Sequence, residues 1–116
     1  MSRERQFTKP GSPLTAPVFY ILLSLSIRDR HGYDILKHVE ESSEGRIRLG
    51  PATLYTALKR LLDAGLIAEL EPDPEQDPRR RSYRLTPPGR TKLKAELTRM
   101  DQAIVLAGAR RIRARS

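Results

Sequence analysis

Residues 50–86 read GPATLYTALKRLLDAGLIAELEPDPEQDPRRRSYRLT, and the order of patterns in this stretch decides the fold. Gly50-Pro51 is a helix-start signal, because proline suits a first helical position whose N–H has no partner. Leu54, Leu58, Leu61 and Leu62 then recur at helical spacing, with Thr53, Thr56, Lys59, Arg60 and Asp63 on the opposite face. Gly65 is placed to end that helix. Leu66 to Leu70 reads as a strand. Pro72, Pro74 and Pro78 punctuate a polar turn from Glu71 to Arg80. Arg81 to Thr86 alternates as a second strand, with Tyr83 and Leu85 facing one way and Ser82 and Arg84 the other. The tip of this hairpin is acidic at Asp73, Glu75 and Asp77, then basic at Arg79, Arg80 and Arg81.

Upstream, apolar residues at Leu14, Val18, Ile21, Leu22 and Leu25 predict a helix from Leu14 to Ile27. Phe19, Tyr20 and Leu23 make it apolar on nearly every side. Such a helix is central to the core, or half core and half interface. His31-Gly32-Tyr33-Asp34 opens a second helix through Ile35, Leu36 and Val39, which ends near Glu41-Ser42-Ser43-Glu44-Gly45. Arg46 to Leu49 is a short bridge whose alternation is compatible with a small strand. Downstream, Thr86-Pro87-Pro88-Gly89 starts a last helix, with Thr86 as its cap. Leu93, Leu97, Met100, Ile104 and Ala107 follow a four-three spacing, a coiled-coil-like seam over about two heptads.

The order is helix, helix, bridge, helix, hairpin, long helix. It predicts a mainly α fold with a small β-hairpin: a winged helix-turn-helix plus a C-terminal dimerisation helix. Residues 1–13 form a polar, basic arm, which is either a plain chain terminus or a segment that touches a phosphate backbone. Residues 14–86 form the winged helix-turn-helix domain, 87–112 the C-terminal helix and 113–116 a frayed tail. The seam of the last helix has no partner within so small a chain, which predicts a homodimer. Leu14, Val18, Phe19, Leu93, Leu97, Met100 and Ile104 are its expected interface, although the seam also fits plain core.

Composition narrows the function. The chain has 116 residues, with 22 Lys and Arg against 14 Asp and Glu, a net charge of +8. That surplus points to a polyanion, nucleic acid ahead of an acidic membrane. Cysteine is absent, which removes disulfides, thiolate chemistry and zinc-finger clusters. Tryptophan is absent and only four Tyr and two Phe occur, so a wide stacking platform for single strands is not expected. The longest apolar stretch, Pro17 to Ile27, is shorter than the roughly 20 residues of a spanning helix, and the chain is expected to be cytoplasmic. His31 and His38 read as surface or capping residues, with no acidic cluster to complete a metal site. No nucleophile–base set, paired carboxylates or phosphate-cradling glycine loop can be placed, so neither catalysis nor a cofactor is expected.

Four fragments carry a resemblance. They are His31-Gly32-Tyr33-Asp34-Ile35, residues 51–61 (PATLYTALKRL), Ala64-Gly65-Leu66-Ile67, and residues 81–89 (RSYRLTPPG). In this order and spacing they resemble the PadR family of bacterial transcriptional regulators over about residues 14–90. The length is similar to the short branch of that family, which has a single C-terminal helix. Ala52 departs from the glycine common there and Thr56 from a frequent proline, which implies a different DNA site. The resemblance carries the family's DNA-contacting tyrosine onto Tyr55. In some members the dimer interface also holds flat aromatic ligands. Without Trp the usual stacking residue is missing here, and Phe19, Tyr20 and Met100 would line any smaller cavity.

The candidate DNA-binding residues follow. Thr53, Thr56, Lys59 and Arg60 face away from the leucines, where Thr can meet a thymine methyl or phosphate, and Lys and Arg a phosphate or guanine. The alternative is a solvated helix face. Tyr55 either packs or reaches a phosphate oxygen. Tyr33, beside Gly32, sits at a helix N-terminus suited to phosphate, or packs against the first helix. Arg79, Arg80 and Arg81 would lie at a minor groove, or be neutralised by the acidic half of their own turn. The expected function is a homodimeric repressor on a near-palindromic operator, its recognition helices about 34 Å apart, with a small aromatic effector as the releasing ligand the resemblance suggests. Two other readings compete. One is a winged-helix protein-interaction module without specific DNA binding. The other puts the basic last helix on an acidic membrane, which its narrow seam without aromatic anchors disfavours.

Overall fold

The computed structural model describes residues 13–71, 75, 77 and 80–109. The expected arm of residues 1–13 lies outside these except for Pro13, as do Arg79, the end of the expected 87–112 helix and the 113–116 tail. Among the described residues, four helices pack with a three-stranded antiparallel sheet, in the order α1 (Ala16–Ile27), β1 (Arg30–His31), α2 (Gly32–Ser42), α3 (Pro51–Asp63), β2 (Ile67–Leu70), β3 (Ser82–Leu85), α4 (Pro87–Ala109). The strands lie in the order β1-β3-β2. This is the mainly helical winged-helix arrangement expected from the sequence.

One strand the alternation allowed does not form. The bridge Arg46–Leu49 is no strand; the third strand is β1, which pairs Arg30 with Tyr83 and His31 with Ser82. The alternation at the bridge is real, with Ile47 and Leu49 half-buried against the core and Arg46 and Arg48 exposed. No strand lies beside it, however. The Ile47 N–H donates instead to Ser43 Oγ at 3.0 Å. Periodicity reports burial, and a ladder needs a neighbour as well.

Turn chemistry sets the other boundaries. Glu44 (φ 55°) and Gly45 (φ 77°) take left-handed conformations that stop α2. Gly65 (φ 76°) stops α3. There the Leu66 N–H donates to the Leu61 carbonyl and the Gly65 N–H to the Leu62 carbonyl, both at 3.0 Å, which is the paired closure of a glycine-ended helix. Thr86 joins three elements. Its hydroxyl donates to the Gly65 carbonyl at 2.6 Å and accepts the Gly89 N–H at 3.1 Å, so the end of α3, the end of β3 and the start of α4 are tied at one residue. Gly89 is buried against the Leu66 carbonyl.

Ile21, Leu22, Ile35, Val39, Leu54, Leu58 and Leu61 form the fully buried centre, closed by Tyr83 and Leu85 of β3 and Leu93 of α4. Leu62, expected inward, is half-buried. Val18 and Phe19, expected at an interface, are covered within one chain, as is Leu93. Beyond Leu93 the core ends and α4 continues. Leu97, Met100, Ile104, Val105 and Leu106 are all exposed, Val105 at 63%. No helix among the described residues is long and apolar enough to cross a membrane.

Candidate nucleic-acid interface

The outward face of α3 is built by its own inward face. Leu54, Leu58 and Leu61 are buried at 0–1% exposure, and this pins the rotation of the helix. Thr53, Thr56 and Lys59 are thereby exposed, while Arg60 is half-buried. The Thr56 hydroxyl donates to the Ala52 carbonyl at 2.9 Å. Its hydrogen is committed to its own helix, which leaves the oxygen lone pairs and the methyl group to meet a partner. Thr53, Thr56 and Arg60 line one groove of about 400 Å³ with Thr15, the residue before α1, and Pro17 and Val18 of its first turn. The first turn of α1 therefore borders the face expected to read DNA. The sequence carried no signal of this, because the contact joins segments far apart in the chain.

Tyr55 is half-buried and packs on the core cluster. Tyr33, the second residue of α2, is 58% exposed, and Lys37 Nζ lies 5.8 Å from its ring centre in a cation–π contact. These are the exposed polar ring and the cation that the start of α2 offers.

The wing arginines differ from one another. Arg80 is exposed at the root of the tip. Arg81 is half-buried, with its Nη1 3.8 Å from Glu69 Oε1 across the hairpin. The compensating charge beside Arg81 is thus a carboxylate of β2. Arg79 lies outside the described residues. Arg84 points outward from β3 and pairs with Asp29 at 3.0 Å, which holds its guanidinium firmly protonated through hydrogen bond and charge.

Neither histidine joins a metal-binding cluster among the described residues. His31 precedes α2 and its ring reaches the wing. His31 Nδ1 lies 2.7 Å from the Arg80 carbonyl oxygen and 3.0 Å from Ser82 Oγ. His38 is half-buried, and burial, reinforced by Arg30, pushes its imidazole below the ordinary value. The buried Arg30 donates from Nε to the Ser24 carbonyl at 2.8 Å and pairs with Asp34, which Arg28 also meets at 2.9 Å. This network fixes the turn from α1 into α2.

Comparison with known proteins agrees with this geometry. Residues 21–95 match the family model of the transcriptional regulator PadR-like family. A transcriptional regulator from Clostridium thermocellum is 26% identical, covers 80% of this chain and 87% of its own, and superposes with a TM-score of 0.63. RosR from H. salinarum is 28% identical over 88% of this chain and 87% of its own, with a TM-score of 0.68. BpsR of Bordetella bronchiseptica, whose DNA binding is regulated by 6-hydroxynicotinic acid, is 28% identical over 85% and 68%, with a TM-score of 0.62. No curated protein matches the chain.

Proposed function

The chain belongs to the PadR-like family of transcriptional regulators, and from that premise we propose that it is a homodimeric, sequence-specific DNA-binding repressor. The observation that carries this is the exposed face of α3. Thr53, Thr56 and Lys59 stand clear of a leucine-pinned helix, with Arg80 at the wing root as the flanking cation. Two such helices enter successive major grooves of a near-palindromic operator, about 34 Å apart. The threonines and Arg60 read bases, while Tyr33, Tyr55 and the wing arginines 79–81 meet backbone or minor groove. Bound over a promoter, the dimer occludes polymerase.

The second copy covers the exposed seam of α4. Leu97, Met100 and Ile104 are its centre, with Val105 and Leu106 beside them. Burying such a stripe against its own copy satisfies two-fold symmetry. Release belongs to a ligand that binds one arrangement of the dimer better than another. A small aromatic compound is the class to screen first, given that BpsR, a structural neighbour, has its DNA binding regulated by 6-hydroxynicotinic acid.

Fluorescence anisotropy tests the reading. The probe is a labelled duplex from upstream of the chain's own gene, with a scrambled duplex as control, at two salt concentrations. Preference for the upstream duplex by roughly 10³-fold or more is the expected result. Equal, weak and steeply salt-dependent binding to upstream duplexes of every tested promoter would leave only the electrostatic term, and a protein-docking role for the winged helix would replace this one.

A further inference from the structure

We propose that His31 is the positioning residue that sets where Arg80 and Arg81 of the wing sit on DNA; the inference rests on the DNA-binding reading above. The hairpin's own ladder ends before the arginines do. Leu70 opposite Ser82 is its last pair. Arg81 and then Arg80 lie beyond that pair toward the tip, so no backbone pairing to β2 fixes either of them. The Arg80 N–H donates to the Asp77 carbonyl at 2.8 Å, a bond within the turn itself.

Beside the Arg81–Glu69 ion pair to β2, the segment is tied to the body of the protein by β1 and the first residue of α2. The Gly32 N–H donates to the Arg81 carbonyl at 3.1 Å. His31 Nδ1 stands 2.7 Å from the Arg80 carbonyl oxygen. A carbonyl oxygen only accepts, so Nδ1 carries the hydrogen and donates it. Ser82 Oγ, 3.0 Å from the same nitrogen, then accepts the minor share. One imidazole N–H thus bridges β1, at the entry to α2, to the residues that carry the wing charge. His31 is itself exposed, so its removal deletes this tie without opening the core. The result couples two parts of the interface. The end of α2 that presents Tyr33 and the root that presents Arg80 move as one piece while the tie is made.

The test uses the full chain with His31→Ala, His31→Asn and Arg80→Ala. Each is titrated by anisotropy against the upstream duplex and against a scrambled duplex, across a salt series, and each is melted by circular dichroism. Arg80→Ala is expected to weaken both duplexes alike. Its salt slope is expected to be shallower by about one, since each phosphate contact contributes about 0.9. His31→Ala should reproduce that signature, with affinity down about tenfold and a melting profile close to wild type. His31→Asn places a carboxamide N–H where Nδ1–H stood, and should recover most of the affinity. A His31→Ala protein that binds like wild type while Arg80→Ala is weak overturns the inference alone. So does an Asn variant as weak as the Ala variant, because a general packing role would predict that. If Arg80→Ala also binds like wild type, the wing is not on the DNA, and the wing reading under the proposed function fails together with this one.

Discussion

Gly89→Ala concentrates the architecture into one methyl group. Gly89 is the third residue of α4, buried where that helix meets the turn after α3. A Cβ there would stand 2.0 Å from the Leu66 carbonyl oxygen, 2.8 Å from Leu85 Cδ1 and 2.9 Å from the Leu66 carbonyl carbon. Two of these atoms are backbone and cannot swing aside. Helix propensity alone favours alanine by about 1 kcal/mol. Relief requires α4 to back away from the turn, which breaks the two Thr86 hydroxyl bonds and the Thr86 N–H bond to Leu66 O at 3.2 Å. At about 1 kcal/mol for each bond, plus about 1–3 kcal/mol for overpacking and less about 1 kcal/mol of propensity, the net loss is about 3–5 kcal/mol. For a domain of this size that lowers Tm by roughly 10–25 °C. The assay is thermal denaturation by circular dichroism at one fixed protomer concentration, because a dimer makes Tm depend on concentration. Gly50→Ala is the matched control, since nothing lies within 4 Å of its added carbon. A Gly89→Ala protein that melts within about 2 °C of wild type, or above it, would refute the reasoning, because propensity would then outweigh the close approach.

Thr56→Ala is expected to change which base is preferred at one operator position by about fivefold, roughly 1 kcal/mol, with an unchanged salt slope, as read by competition with singly substituted duplexes. On α4, Ile104→Asp should convert the dimer to monomer in light scattering with the melt of the winged-helix body retained. Leu93→Ala, which opens the core, should instead cost about 2–5 kcal/mol in denaturant unfolding. His38 gives a pH dependence. Its imidazole is held below 6.5 chiefly by burial, and its Nδ1 has no hydrogen-bond partner among the described residues. The unfolded chain therefore binds more protons between the folded value and 6.5. The stability this residue leaves intact is full above pH 6.5, declines as pH falls through that window and then levels off. His38→Gln should flatten the decline, measured as urea midpoints above and below pH 6.5.

Most of the fold was legible because it is written in local spacing. The leucines of α3, Gly65 at its end and the alternation of Tyr83 and Leu85 all announce themselves within a few residues. The four-three seam was equally plain, but its meaning was not. Leu93 belongs to the core and Leu97 onward does not, a division made by where the other helices stop. Val18 and Phe19 make the same point: spacing shows that a face is apolar and is silent on what covers it. The two-residue β1 has no period to read, and the bridge at Arg46–Leu49 has a period without a neighbour. His31 was recognisable as a helix-start residue. Its partners Arg80 and Ser82 are 49 and 51 positions away, so nothing local marks its link to the wing.

The knot at Thr86 gives α4 a mechanical character. The helix has no Pro or Gly between Gly89 and Gly108, and its 23 residues span about 35 Å at 1.5 Å per residue. One end is clamped to the close of α3 through Gly65; the other carries the exposed seam. It is a stiff boom with its pivot at the end of α3. In the proposed dimer a tilt of about 5° at the pivot displaces the far end by about 3 Å, a sideways shift comparable to a large part of one helical turn's rise. The converse also holds: side chains repacking along the seam are geared down, and reach the DNA face as a change of angle rather than of position. A regulator built this way needs no flexible hinge, because the leverage resides in the length of a single unbroken helix.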